Sequence, residues 1–402
     1  MSIQTLQPPV KTVDFQDFFM PGHVRFGVNA YLTLVEEVKK LNARRITVIS
    51  DKGLDKVGLV QKVLDLLAPL EIDVTTFTDI SGEPTFRLLS RSIDRVREHE
   101  SDMIIGIGGG SALDVAKATT ALADEEAPSL CFSGEKRIET RTIKCILLPT
   151  TSGTGSEVTM NAIFGDEEQE VKRGLVSQSL LPDVAIVDPV LTLSCPSKVT
   201  AASGVDAFTH ALESYVAARA TPMTKMYAEK AMKLFASNIP KAVHNGKDLE
   251  ARKEMSWVSL LAGVSLANAG VGAVHALAYP LGGKYHVEHG VANALLMPFV
   301  FEVIGQTCME EMMEVASFLH LGDFTSNPHQ AKGAIVQYLY ELLETLNLPT
   351  SLSEIGIKEE DLPLLAEQAS KVDRLLSNTP YELTENHILK IYENAYHGKR
   401  KE

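Results

Sequence analysis

The chain is predicted to fold as an α/β domain on a parallel sheet, followed by an all-α domain. Short apolar runs alternate with longer amphipathic segments as far as residue 190, and the patterns beyond are helical almost throughout. A length of 402 residues also exceeds what one hydrophobic core usually serves.

The elements of the first half follow in order. ITVISD (46–51) is a β-rich run that ends in Asp51 before a Lys52-Gly53 turn, and LVQKVLDLLAPL (59–70) has helical periodicity. DVTTF (73–77) reads as a strand and TFRLLSRSIDRVREH (85–99) as an amphipathic helix. MIIGIGGG (103–110) is a strand running into glycines, SALDVAKATTAL (111–122) the helix after it, and CILLPT (145–150) another short strand.

The character changes near VAIVDPVLTLSCPS (184–197), so the domains are expected at 1–190 and 191–402. Helices are expected over 200–219, 224–239, 250–283, 308–318, 329–346, 359–370 and 383–397, with prolines marking boundaries or interruptions. Met255 to Gly283 contains no Asp, Glu, Lys or Arg. Its Asn268, His275, Pro280 and several glycines favour a pair of buried helices over a membrane span. The cleft between the domains is the expected site.

A formal charge of −14 argues against nucleic-acid binding and against docking to anionic membranes. Cys131, Cys145, Cys195 and Cys308 show no CxxC pair, which fits reduced thiols in a cytoplasmic protein, and no secretory signal is read at the N-terminus.

Two loops suggest a nucleotide. GIGGGSALDVAKA (106–118) sets glycines between a buried strand and a helix, where backbone N–H groups can meet a phosphate; a tight turn is the alternative. PTTSGTGSEVT (149–159) follows another strand and is rich in small hydroxyl residues. Successive loops of this kind fit the carboxyl edge of a Rossmann-like sheet. Asp51 is placed either to accept from an adenosine ribose, excluding the extra phosphate of NADP, or simply to cap a helix.

Four residues of the second half suggest a metal. Asp206 and His210 are four apart on a helical stretch and share a face, and His275 and His289 follow in VHALAYPLGGKYHVEHGVAN. One carboxylate and three imidazoles suit Fe(II) or Zn(II) with a position left open. Hydrogen-bonded core histidines are the alternative.

GIGGGSALDVAKA, PTTSGTGSEVT, LLPDVAIVDPVLT, GVDAFTHALESYV and NAGVGAVHALAYPLGGKYHVEHGVANALLMP together resemble, in order and spacing, the iron-containing (group III) alcohol dehydrogenases. The resemblance implies an NAD-linked oxidoreductase with Fe(2+), or Zn(2+), held by Asp206, His210, His275 and His289. It places cofactor contacts on Asp51, Gly109, Gly110, Ser111, Asp114, Thr150, Thr151, Ser152, Thr159 and Lys172. It further implies hydride exchange between a small primary alcohol at the metal and nicotinamide C4, in a homodimer or larger homo-oligomer.

One position departs from the family pattern: Tyr279 stands where many relatives have a histidine. Tyr279 is expected to shape the substrate pocket, and His286 or a water chain to move the proton. An aromatic ring there would also suit a cationic alcohol such as choline, whose oxidation defines one branch of the family. A glycerol-dehydrogenase-like polyol oxidoreductase and a non-catalytic nucleotide-binding scaffold are the competing readings.

Overall fold

The computed structural model of the protein describes residues 16–138, 141–167 and 171–399. Strands β1 (His23–Phe26), β2 (Arg45–Asp51), β3 (Asp73–Ile80), β4 (Met103–Gly108) and β5 (Lys144–Pro149) alternate with helices. Those helices are α1 (Leu34–Lys40), α2 (Lys52–Lys56), α3 (Leu59–Leu67), α4 (Phe86–Glu98), α5 (Gly110–Leu122) and α6 (Pro128–Ser133). An antiparallel hairpin, β6 (Asn161–Asp166) and β7 (Val171–Val176), precedes the last strand, β8 (Val184–Val187).

The main sheet runs β1-β8-β5-β4-β2-β3 and every pairing in it is parallel. Its central strands are apolar on both faces because helices cover both. Ile46, Val48, Ile105, Ile107, Ile146 and Leu148 pack with Val60, Val63 and Leu67 of α3, whereas Ile104, Cys145 and Leu147 pack with residues of α4 and α5. Each such fully buried aliphatic side chain contributes about 1.5–3 kcal/mol. From β2 the chain first adds β3 on one side and then returns to add β4 on the other. The carboxyl ends of β2 and β4, carrying Asp51 and the glycine run, therefore flank the topological switch point.

The second half is helical: α7 (Ser197–Val216), α8 (Pro222–His244), α9 (Leu249–Ala269), α10 (Ala273–Tyr285), α11 (His289–Ile304), α12 (Met309–Phe318), α13 (Pro328–Thr345), α14 (Leu362–Ser370), α15 (Asp373–Leu376) and α16 (Glu385–His397). The charge-free stretch is the buried pair α9 and α10, bent by 100° at their junction. No single helix among the described residues is long and apolar enough to cross a membrane.

Several elements depart from expectation. Helix α11 shows no helical period because residues 292–301 are buried all round and leave no polar face to mark it. Pro240, Pro280 and Pro298 lie inside α8, α10 and α11 rather than at their ends. Strand β1 and the β6–β7 hairpin are too short or too polar to register as apolar runs.

The glycines of the 149–159 loop serve a packing purpose that sequence alone does not separate from phosphate binding. A Cβ on Gly153 would lie 2.5 Å from Ser203 Cβ of α7, and one on Gly155 2.5 Å from Gly263 Cα of α9. Gly155 also has φ +59°. This loop is thus pressed against the helices that follow.

Next to it Glu157 is 1 % exposed, with Oε1 unpaired. Burial pushes its carboxyl up to about 7, opposed by its own backbone N–H and the Lys117 ammonium. A carboxyl raised in the folded state stabilises most below its unfolded pKa, and that stabilisation is lost as pH rises towards 7. Glu157→Gln is expected to flatten the stability profile between pH 5 and 7 and to gain up to about 3 kcal/mol over the parent at pH 8. Parallel denaturant titrations of the two proteins across that range check it; superimposable profiles would contradict it.

Candidate metal centre and nucleotide cleft

Helix α7 presents Asp206 and His210 one turn apart, α10 adds His275 in its first turn, and α11 opens on His289. One ligand atom from each lies within 4.8 Å of the other three. Asp206 Oδ1 stands 3.7 Å from His210 Nε2 and 3.9 Å from the Nε2 atoms of His275 and His289. Four donors at bonds near 2.1 Å stand about 3–3.4 Å apart, so the set draws in to close around an ion and a further coordination position stays open for a substrate oxygen.

The surroundings fit a cation. Burial raises the Asp206 carboxyl, but the three histidines and Asn293 outweigh it and hold it below the usual carboxylate range. Burial lowers the pKa of His210 and His289 against the opposing pull of Asp206. An ionised carboxylate with neutral imidazoles is the state a metal requires.

Asn293 Nδ2 donates to Asp206 Oδ1 at 2.7 Å and stands 3.1 Å from the Nε2 atoms of His275 and His289. Three acceptors thus converge on one electropositive atom. Buried Glu213 accepts from His275 Nδ1 at 2.5 Å and from the Val274 N–H at 2.7 Å, which turns Nε2 towards the centre. Neither Glu213 nor Asn293 was foreseen. Glu213 lies seven residues after Asp206 and Asn293 four after His289, so helical spacing from the ligands was the available signal.

The four residues line a cavity of about 950 Å³, open solvent at its mouth included. Gly110, Ser111, Asp114, Thr159, Lys172 and Tyr279 line it together with the ligands. Asp114 accepts from Ser156 Oγ at 2.5 Å and the Ile163 N–H at 3.0 Å, and pairs with the fully buried Lys117 at 3.2 Å. Lys172 reaches the wall from β7 and pairs with Glu83 at 2.5 Å.

A Cβ on Gly109 would make only ordinary contacts, 3.5 Å to Thr151, whereas one on Gly110 would meet Thr154 at 2.6 Å. Thr150 and Thr151 sit beside this corner, the Thr150 N–H donating to Gly108 O at 2.9 Å. Ser152 is directed elsewhere, 3.3 Å from Ser256 Oγ of α9.

Asp51 combines a capping role with a place at the glycine corner. Oδ1 caps α2, accepting from the Gly53 and Leu54 N–H groups at 2.8 and 2.9 Å. Oδ2 faces the glycine corner, 3.5 Å from where a Gly108 Cβ would stand.

Tyr279 is half-buried, its ring centroid 6.4 Å from that of His289. His286 is not brought into the cavity. It closes α10 in a left-handed conformation at φ 54°, is exposed, and is not among the lining residues. Arg374 of α15, unremarked in the sequence, is a lining residue.

Residues 21–189 match the iron-containing alcohol dehydrogenases, and residues 200–396 match the C-terminal region of the Fe-containing alcohol dehydrogenase family. The long-chain-alcohol dehydrogenase 1 of Geobacillus thermodenitrificans is 41% identical over 380 residues, 94% of this chain and 95% of that one. This chain belongs to the iron-containing alcohol dehydrogenase family. As an iron-containing alcohol dehydrogenase relative it is a metal-dependent, NAD-linked oxidoreductase of alcohols and aldehydes. The sulfoacetaldehyde reductase of Bilophila wadsworthia is 36% identical over 372 residues, covering 91% of this chain and 95% of its own. The structure of the alcohol dehydrogenase from Oenococcus oeni superimposes with a TM-score of 0.90 at 32% identity, covering 95% of this chain and all of that one.

Proposed function

We propose that the protein interconverts a primary alcohol and its aldehyde with NAD, using Fe(2+), or alternatively Zn(2+), held by Asp206, His210, His275 and His289. The convergence of these four donors on one point at the wall of the nucleotide cleft carries the reading. When bound, the metal polarises the alcohol or carbonyl oxygen and NAD carries the hydride.

The chain's own residues perform the rest. Glu213 holds the His275 tautomer, and Asn293 restrains Asp206. Gly109, Gly110 and Ser111 offer backbone N–H groups at the start of α5 to the pyrophosphate, with Thr150, Thr151, Asp114, Thr159 and Lys172 around the remaining cofactor, while Ser152 fastens the loop to Ser256 of α9. Tyr279 and Leu266 narrow the cavity beside the ligands and exclude water from the reacting carbon.

The exposed position of His286 favours a solvent path for the proton over an imidazole relay. A domain boundary at 190/191, assembly as homodimers or larger homo-oligomers and a cytoplasmic location belong to the same reading. Choline fits the site poorly, because Arg374 stands within polar reach of the Tyr279 hydroxyl and would repel a quaternary ammonium.

The test is NADH formation by metal-loaded protein with primary alcohols from ethanol to octanol, propanediols, glycerol and choline, each with NAD and NADP. Absence of turnover on every one of them and on their aldehydes would leave a nucleotide-binding scaffold. Asp51→Ser keeps a capping oxygen and removes the charge. It is expected to shift the NADP-to-NAD ratio of kcat/KM at least about tenfold towards NADP, close to 1.4 kcal/mol. An unchanged ratio would restrict Asp51 to its capping role.

A further inference from the structure

The charged side chains that line the cavity are Glu83, Asp114, Lys172, Asp206 and Arg374. Four of them are engaged. Lys172 pairs with Glu83, Asp114 with Lys117 and Ser156, and Asp206 with the three histidines. Arg374 forms no ion pair among the described residues, and its charge is the one left uncompensated by another side chain at this wall. The guanidinium lies at the cavity wall between Tyr279, within polar reach of its hydroxyl, and Gly174 of β7, with Nη2 3.7 Å from where a Gly174 Cβ would stand.

Arg374 is also held in place from behind. Asn378, just beyond α15, donates to Ala269 O at 2.9 Å and Val271 O at 3.0 Å, and its Oδ1 accepts from the Arg219 backbone N–H and Nε, each at 3.2 Å. These bonds tie the α15 segment to the α9–α10 junction, one turn of α10 before His275. A guanidinium on such a support, separated from the metal ligands by a single tyrosine side chain, is a preorganised fork for a planar or tetrahedral anion.

We propose that Arg374 is a specificity residue for anionic substrates: short-chain aldehydes or alcohols whose far end carries a sulfonate or carboxylate. This deepens the dehydrogenase reading above and rests on it. The carbonyl end lies among Asp206, His210, His275 and His289, Tyr279 covers the short carbon chain, and the anionic end meets Arg374. The reaction is otherwise unchanged. The carbonyl carbon gains a hydride from NADH, the carbonyl oxygen gains a proton, and NAD+ and the alcohol leave with the anion intact. The Bilophila relative is named for an aldehyde of this class. A neutral long-chain substrate would leave the guanidinium facing lipid-like methylenes, an unfavourable contact.

The experiment compares kcat/KM for sulfoacetaldehyde, succinic semialdehyde and butanal in metal-loaded wild type, Arg374→Ala and Arg374→Lys. The wild type is expected to prefer the anionic aldehydes. Arg374→Ala should lower the anionic-to-neutral ratio by about 10- to 100-fold, mainly through KM, and Arg374→Lys should restore part of it. The preferred anionic aldehyde then distinguishes sulfonate from carboxylate. An unchanged ratio, or a loss confined to the KM for NADH, overturns the proposal.

Calorimetric titration of metal-free protein with 2-hydroxyethanesulfonate supplies a readout without turnover. Wild type is expected to bind it more tightly than Arg374→Ala, and equal affinity overturns the proposal. If no aldehyde is reduced, butanal included, the dehydrogenase reading fails while this titration still decides the role of Arg374.

Discussion

Replacing His275 with alanine is expected to lower kcat/KM by about three orders of magnitude or more, close to 4 kcal/mol of lost transition-state stabilisation. The expectation rests on its place among four mutually close donors and on the Glu213 carboxylate behind it. Chelation of the wild type should produce the same loss, and re-addition of Fe(II) or Zn(II) should reverse it in the wild type only.

Glu213→Gln separates ligation from orientation. It keeps an acceptor for the imidazole but removes the charge, and is expected to weaken metal affinity by about 10- to 100-fold while activity returns at saturating metal. Competition titration against a chromogenic chelator measures both variants. Wild-type metal affinity in His275→Ala would remove the metal centre from the reading.

The parts legible in the sequence were those whose signal is local. Strands β2, β4 and β5 register as apolar runs because both their faces are buried, and Asp206 and His210 announce themselves by helical spacing. Their meeting with His275 and His289 depends on how α7, α10 and α11 pack, so residue chemistry alone left core histidines open as an alternative; the family resemblance decided the grouping.

The parts not legible were long-range or had ambiguous signals. Helix α11 is buried on every side, and periodicity is silent for such a helix. Arg374 reaches the cavity from a one-turn helix fixed by Asn378, a contact 107 and 109 residues from its partners Val271 and Ala269. His286 was expected, as the alternative to a water chain, to move the proton; the left-handed cap that ends α10 leaves it exposed and outside the cavity lining.

Gly263→Val is expected to destabilise the protein by more than the about 1–3 kcal/mol typical of overpacking, and to weaken NAD and metal binding together. A Cβ at Gly263 would lie 2.8 Å from Gly155 Cα and 2.8 Å from Val158 Cγ2, so the neighbour that must move is largely backbone. That backbone belongs to the loop bearing Thr150, Thr151 and Ser152 at one end and Thr159 at the other. Gly153, in its middle, packs on α7 beside Ser203 and lies next to the His210 imidazole. Displacing the loop therefore disturbs both the cofactor corner and a metal ligand, whereas Glu213→Gln acts on the metal alone. Gly333→Ala in α13 is the control: nothing lies within 4 Å of the added Cβ, and helix propensity favours alanine by up to about 1 kcal/mol. Thermal denaturation with separate NAD and metal titrations reads all three quantities. If Gly263→Val keeps the parental Tm and both affinities, the glycine contact is not what seats the nucleotide loop against the metal helices.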